Sequence, residues 1–106
     1  MIEWRPKAFE DRNKIFDYIA QDNADAALEL DDLIEERTQA LPSHPELYRA
    51  GRVRGTREMV LSTNYVLVYR VKQRTGVIEI VRIVGARQNY PGGGRRISER
   101  TEPVDN

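Results

Sequence analysis

YVLVYRVKQRTGVIEIVRIVGA, residues 65–86, holds two runs of β-branched and aromatic residues around one polar loop. The first run, YVLVYRV (65–71), is apolar on both faces of its alternation, which suits a central strand covered on both sides. KQRTG supplies turn chemistry, and VIEIVRIVGA (77–86) returns as a second long strand. Upstream, STN is another turn signal, and GRVRGTREMVL (51–61) has the period of two expected of one bent strand or of two short ones interrupted at Gly55. LPSHPEL (41–47) carries two prolines and stops whatever helix precedes it. Before it the period is helical. Ala27, Leu30, Ile34 and Leu41, with Leu33 beside them, stripe a helix from Ala24 to about Ala40. Asn23 is its N-cap and Asp25 lies in its first turn. Ala8, Phe9, Ile15, Phe16 and Ile19 stripe an earlier helix from Lys7 to about Gln21, entered through Pro6. MIEW reads as a first strand. The order β-α-α-β-β-β predicts an α+β fold, a helical hairpin packed on one face of a twisted, mainly antiparallel sheet.

A chain of 106 residues has room for one domain and one core. We expect that domain over residues 1–91, with 92–106 as a flexible tail, because the stretch after Pro91 is glycine-rich and poor in apolar residues. There is no cysteine and one histidine, which removes disulfides, thiol nucleophiles and Cys/His zinc sites. No apolar run approaches the roughly 18 residues needed to span a membrane, and the charged MIEWRPKAFEDR start lacks the apolar segment of a signal peptide. The expectation is a cytoplasmic protein with no membrane partner. The formal charge is zero, but it is distributed unevenly. Residues 1–46 carry five Lys/Arg against twelve Asp/Glu, and residues 47–96 carry eleven against Glu58 and Glu79 alone. An acidic helical half therefore precedes a basic sheet half, whose surface would attract phosphates or an acidic protein.

The basic residues crowd RAGRVRGTRE (49–58), which contains Arg49, Arg52, Arg54 and Arg57. If the strand is continuous, Arg52 and Arg54 share a face. Joined by Arg70, Arg82 and Arg87 from neighbouring strands, they would form a guanidinium cluster on the open face, suited to phosphate contact and base stacking. Solvated charge or ion pairs with the acidic helices is the plainer reading of any one of them. GARQNYP (85–91) places Arg87, Gln88 and Tyr90 where the sheet ends. There Tyr90 could stack or move a proton and Gln88 could read a base edge; alternatively Tyr90 rims the core and Gln88 makes a turn. Glu58 could be a general base beside arginines, and is more commonly their structural partner. His44, between two prolines, suits a loop. The acids Glu29, Asp31, Asp32, Glu35 and Glu36 form a helix face rather than a metal site, and no cofactor is expected.

DRNKIFDYIA, DNADAALEL, GRVRGTREMV, NYVLVYRV, VIEIVRIV and ARQNYP, in this order and spacing over about residues 2–91, resemble the RelE/ParE superfamily of type II toxin–antitoxin toxins. The resemblance implies two helices against a twisted antiparallel sheet. It also implies a cognate antitoxin partner, often with an acidic unfolded segment, and operator DNA bound only through the toxin–antitoxin complex. RelE-type members cut messenger RNA on the ribosome without a metal, the 2′-hydroxyl of the RNA attacking the adjacent phosphate. Carried over by position, this branch would place Arg57 and Arg87 on the phosphate and Tyr90 in proton transfer or stacking. Arg49, Arg52, Arg54, Arg70, Arg82 and Gln88 would then bind RNA or target. Met59, Val66 and Gly85 stand where ribonuclease branches have a lysine, an arginine and a histidine. ParE-type members poison DNA gyrase without catalysis, and GRVRGTREMV…NYVLVYRV resembles them at least as closely. The implied activities are a metal-independent endoribonuclease first, a gyrase poison second, and a non-toxic antitoxin-binding module third.

Overall fold

Two helices lie on one face of a five-stranded sheet in the computed structural model, which describes residues 1–91. The expected tail, 92–106, lies outside the described residues. The strands are β1 (Ile2–Trp4), β2 (Arg49–Ala50), β3 (Arg57–Val60), β4 (Tyr65–Val71) and β5 (Ile78–Gly85), in the order β1-β5-β4-β3-β2. The helices are α1 (Pro6–Ala20) and α2 (Ala24–Ala40). β1 runs parallel to β5 and every other pairing is antiparallel.

The local chemistry accounts for the boundaries. Pro6 occupies the first turn of α1, where its missing N–H is not needed. The Asn23 side chain accepts a hydrogen bond from the Ala26 amide at 3.0 Å and starts α2. Pro42 lies in the short 3-10 turn Leu41–Ser43 that ends α2, and Leu41, expected at the end of the helical stripe, is buried there. Gly76, at φ +75°, closes the β4–β5 hairpin in a conformation that other residues resist.

β4 lies third of five strands and is covered on both faces, as its unbroken apolar run requires. On the helix side, Leu67 and Tyr69 pack with Ala8, Ile34, Leu41, Met59, Ile78, Ile80 and Ile83. Burial of each leucine, isoleucine or methionine side chain among these contributes roughly 1.5–3 kcal/mol. The Tyr69 hydroxyl donates to the Pro45 carbonyl at 2.8 Å, so the deepest aromatic of this core leaves no polar atom unmatched. On the other side, Val66, Val68 and Val84 are covered by no helix. Tyr90 and Val53, from two loops, close over them instead. Phe9, expected on the buried stripe of α1, is 54 % exposed. It sits one position round the helix from Ala8, which takes the place against the sheet.

A β-bulge shapes β5. Tyr69 pairs with Ile80 and Val68 with Arg82, so Val81 is the extra residue. β1 covers β5 only from Ile78 to Ile80. Just beyond, Asp11 of α1 accepts from the Ile83 amide at 3.0 Å and from Arg82 Nε at 2.7 Å. One helix carboxylate thus satisfies the exposed strand edge and fixes the helix layer on the sheet. Arg12, one residue along, lies over the Trp4 ring at 5.1 Å and pairs with Asp31 and Glu35 of α2.

Candidate functional site

The interrupted reading of GRVRGTREMVL is the one the fold adopts. β2 ends at Ala50 and β3 begins at Arg57, with Gly51–Thr56 as a loop between them. Arg52 and Arg54 therefore lie in a turn and do not share a strand face. The loop is tied by the Gly51 amide to the Thr56 carbonyl at 2.8 Å, and by the Thr56 amide and hydroxyl to the Val53 carbonyl. Gly55 has φ +84°. A Cβ on Gly51 would meet the Thr56 hydroxyl and, at 3.2 Å, its backbone. These restraints fold the loop back over the open face, where Val53 joins Val66, Val68, Val84 and Tyr90.

The centre of this face is Glu58, 3 % exposed. Its Oε2 accepts from the Arg52 amide at 2.9 Å and from Arg52 Nε at 3.0 Å, and its Oε1 accepts from Arg49 Nη2 at 3.3 Å. Burial alone would raise this carboxyl. The Arg52 amide and guanidinium, with help from Arg49, outweigh that and hold it below the ordinary glutamate range. Arg52 also donates to the Gln88 carbonyl at 3.3 Å and lies over the Tyr90 ring at 5.6 Å. It thereby joins the β2–β3 loop to the turn after β5. Gln88 is engaged too, its Oε1 accepting from the Gly85 amide at 2.9 Å. Beside Glu58 a shallow groove of about 480 Å³ is lined by Arg49, Arg52, Val60, Thr63, Val66 and Ala86.

The structure brings Arg49, Arg52, Gln88 and Tyr90 together, while Arg57, Arg70 and Arg82 are engaged by other partners. Arg57 alternates with Met59, so it belongs to the helix side of the sheet, where it donates to the Tyr48 carbonyl at 2.8 Å. Arg70 pairs with Glu79, which also accepts from Arg5 at 3.3 Å. Burial favours the neutral acid here as well, but Arg70, Lys72 and Arg5 prevail and the Glu79 carboxyl is lowered. Arg82 is held by Asp11, which raises its guanidinium further. Of the single guanidinium cluster expected across the open face, Arg52, Arg70 and Arg82 are thus divided among three carboxylates. Arg54 and Arg87 are exposed and make no ion pair among the described residues. Tyr90 is buried to 9 % exposure on the rim of the open-face cluster. His44 is exposed in the loop after α2.

Sequence reasoning passed over Val53 and Asp11. Val53 sits between two arginines in what reads as a strand, and Asp11 is one of many acids on a helix. Only the bulge and the folded-back loop set them apart. Among the described residues no group of three His, Cys, Asp or Glu side chains is placed to hold a metal ion, and no helix is long and apolar enough to cross a membrane.

Comparison with known proteins gives a consistent result. The family model described as "ParE toxin of type II toxin-antitoxin system, parDE" matches residues 2–90. A curated protein of Sinorhizobium fredii (strain NBRC 101917 / NGR234), named "Putative toxin Y4kP", is 33 % identical over 91 residues, spanning 85 % of this chain and 92 % of its own. A solved chromosomal ParDE toxin–antitoxin system from P. aeruginosa contains a chain with a TM-score of 0.68 and 26 % identity, covering 79 % of this chain and 92 % of that one. A chain of the heterotetrameric YoeB-YefM toxin–antitoxin complex from Staphylococcus aureus matches at a TM-score of 0.55 and 20 % identity over 77 % of this chain and 91 % of that one, a likeness of fold.

Proposed function

The chain belongs to the ParE toxin family of type II toxin–antitoxin systems, and from this premise we propose that it arrests growth by binding its target rather than by cutting RNA, and that a cognate antitoxin neutralises it. The observation that carries the reading is the separation of Arg57 from Tyr90. Metal-free RNA cleavage needs cations on the scissile phosphate and a proton-transfer group within reach of the same atoms. Here Arg57 lies on the helix side of the sheet and Tyr90 is packed into the opposite side, with the sheet between them. Arg52 and Arg49 are already bonded to Glu58, and the Gln88 side chain is bonded to a backbone amide. A surface so arranged suits recognition better than turnover. DNA gyrase is the target that the ParE branch of the family implies.

The antitoxin reading rests on charge. The sheet half carries a large excess of Lys/Arg, and Arg54 and Arg87 stand exposed, so an acidic antitoxin segment is the complementary partner. The solved P. aeruginosa relative is itself a toxin–antitoxin system. Induction of the chain without an antitoxin tests the activity. Growth arrest with gyrase-dependent DNA breaks, a DNA damage response and intact messenger RNA is expected. Ribosome-dependent cuts in messenger RNA that vanish in Arg87→Ala would replace this reading with the ribonuclease one, and full viability would replace it with a non-toxic module.

A further inference from the structure

Three N–H donors converge on one point of the open face: the Arg52 amide, Arg52 Nε and Arg49 Nη2. A backbone amide flanked by two guanidiniums is the chemistry that elsewhere holds a phosphate oxygen. The point is occupied by the Glu58 carboxylate, whose side chain is 2 % exposed while Arg49 and Arg52 remain 61 % and 37 % exposed. We infer that this is an anion cradle which the chain fills with its own carboxylate, so that Glu58 is a specificity residue that keeps the groove from taking a nucleic-acid phosphate.

The physical argument is one of substitution. A phosphate entering beside Arg49 and Arg52 would find the three convergent donors already bonded and would lie close to a second negative charge that is shielded from water and therefore acts strongly. Glu58 is held in place by hydrogen bonds on both carboxylate oxygens. Its carboxyl is held in the ionised form by the same donors, so the barrier persists at neutral pH. The remaining groove lining, Val60, Thr63, Val66 and Ala86, is uncharged. The groove therefore offers an apolar floor beside two arginines of which one charge is cancelled by Glu58, which fits a side chain of a protein partner better than a sugar–phosphate backbone. This holds whichever macromolecule the toxin acts on.

Binding of a short labelled single-stranded RNA to the purified full chain, followed by anisotropy from about 50 to 200 mM salt, tests the inference without reference to toxicity. Glu58→Gln keeps the shape and removes the charge. It should tighten RNA binding by about tenfold at the lower salt. It should also steepen the dependence of log affinity on log salt by about 0.7, the value for one phosphate newly neutralised. Glu36→Gln, on the outer face of α2, makes the same change in net charge and should do neither. Equal behaviour of the two variants would overturn the inference. If Glu58→Gln fails to fold, Arg49→Ala serves in its place: with its guanidinium paired to Glu58, its removal should weaken RNA binding no more than Lys14→Ala does. A clearly larger loss for Arg49→Ala would show that the arginine was open to phosphate after all.

Discussion

Glu58 and Glu79 are the two acids of the basic half, and both are nearly buried among arginines. For each, burial favours the neutral form and the surrounding donors more than offset it, so the folded carboxyl ionises below its ordinary range. The unfolded chain then binds protons more readily than the native one in acid. The stability these groups contribute is complete above about pH 4.3 and is lost as pH falls through the lower folded values. Urea unfolding followed from neutral pH downward should show this acid-side loss. A Glu58→Gln/Glu79→Gln double variant should be less stable at neutral pH and lose less on acidification. An equally steep acid loss in the double variant would assign the effect to other carboxylates. Removing one partner of a buried pair costs far more than the pair's net contribution, because the other charge is left without compensation.

Between elements, the decisive contact is Asp11 of α1 with the bulged strand β5. The carboxylate accepts two bonds from Arg82 and one from the Ile83 amide, and it does so where β1 no longer covers the strand edge. Asp11→Ala leaves a partly buried guanidinium and a strand N–H without partners. It should cost about 2–3 kcal/mol in chemical denaturation, in the range for hydrogen bonds that involve charge. The surface pair Lys7–Glu10 offers a contrast, since breaking it should cost well under about 1 kcal/mol. A small effect for Asp11→Ala would mean that the helix layer is held by apolar packing alone. The β2–β3 loop is positioned by similarly specific means: Gly51 allows close approach to Thr56, and Arg52 bonds the turn after β5.

At the scale of the whole molecule, an acidic helical half and a basic sheet half are partly joined by ion pairs, as in Arg82 with Asp11 and Lys72 with Glu3. What remains for a partner is the charge left exposed. Arg54 and Arg87 belong to that remainder, so the proposed antitoxin should be steered by them. Reversing both, Arg54→Glu with Arg87→Glu, should slow association with the cognate antitoxin at low salt by about tenfold or more and flatten its salt dependence, while dissociation changes less. Stopped-flow mixing at several salt concentrations would measure this. An unchanged association rate would place the docking surface elsewhere.

Sequence alone determined the layers of this protein. The continuous apolar run 65–71 demanded a central strand, the two helical stripes demanded a sheet to rest on, and the proline pair at 42 and 45 separated the two regimes. These are signals of local period and backbone restriction, which act over a few residues. The charge asymmetry and the family motifs were legible for the same reason. The tertiary structure decided which arginines are engaged and by what. Arg52 and Arg49 meet Glu58, Arg82 meets Asp11 across 71 positions, and Arg70 and Arg5 meet Glu79, because strand register, a bulge and a folded-back loop bring these carboxylates to them. A guanidinium's function depends on the anion beside it, and that neighbour is set by strand register and loop path rather than by the residues that precede and follow it in the chain.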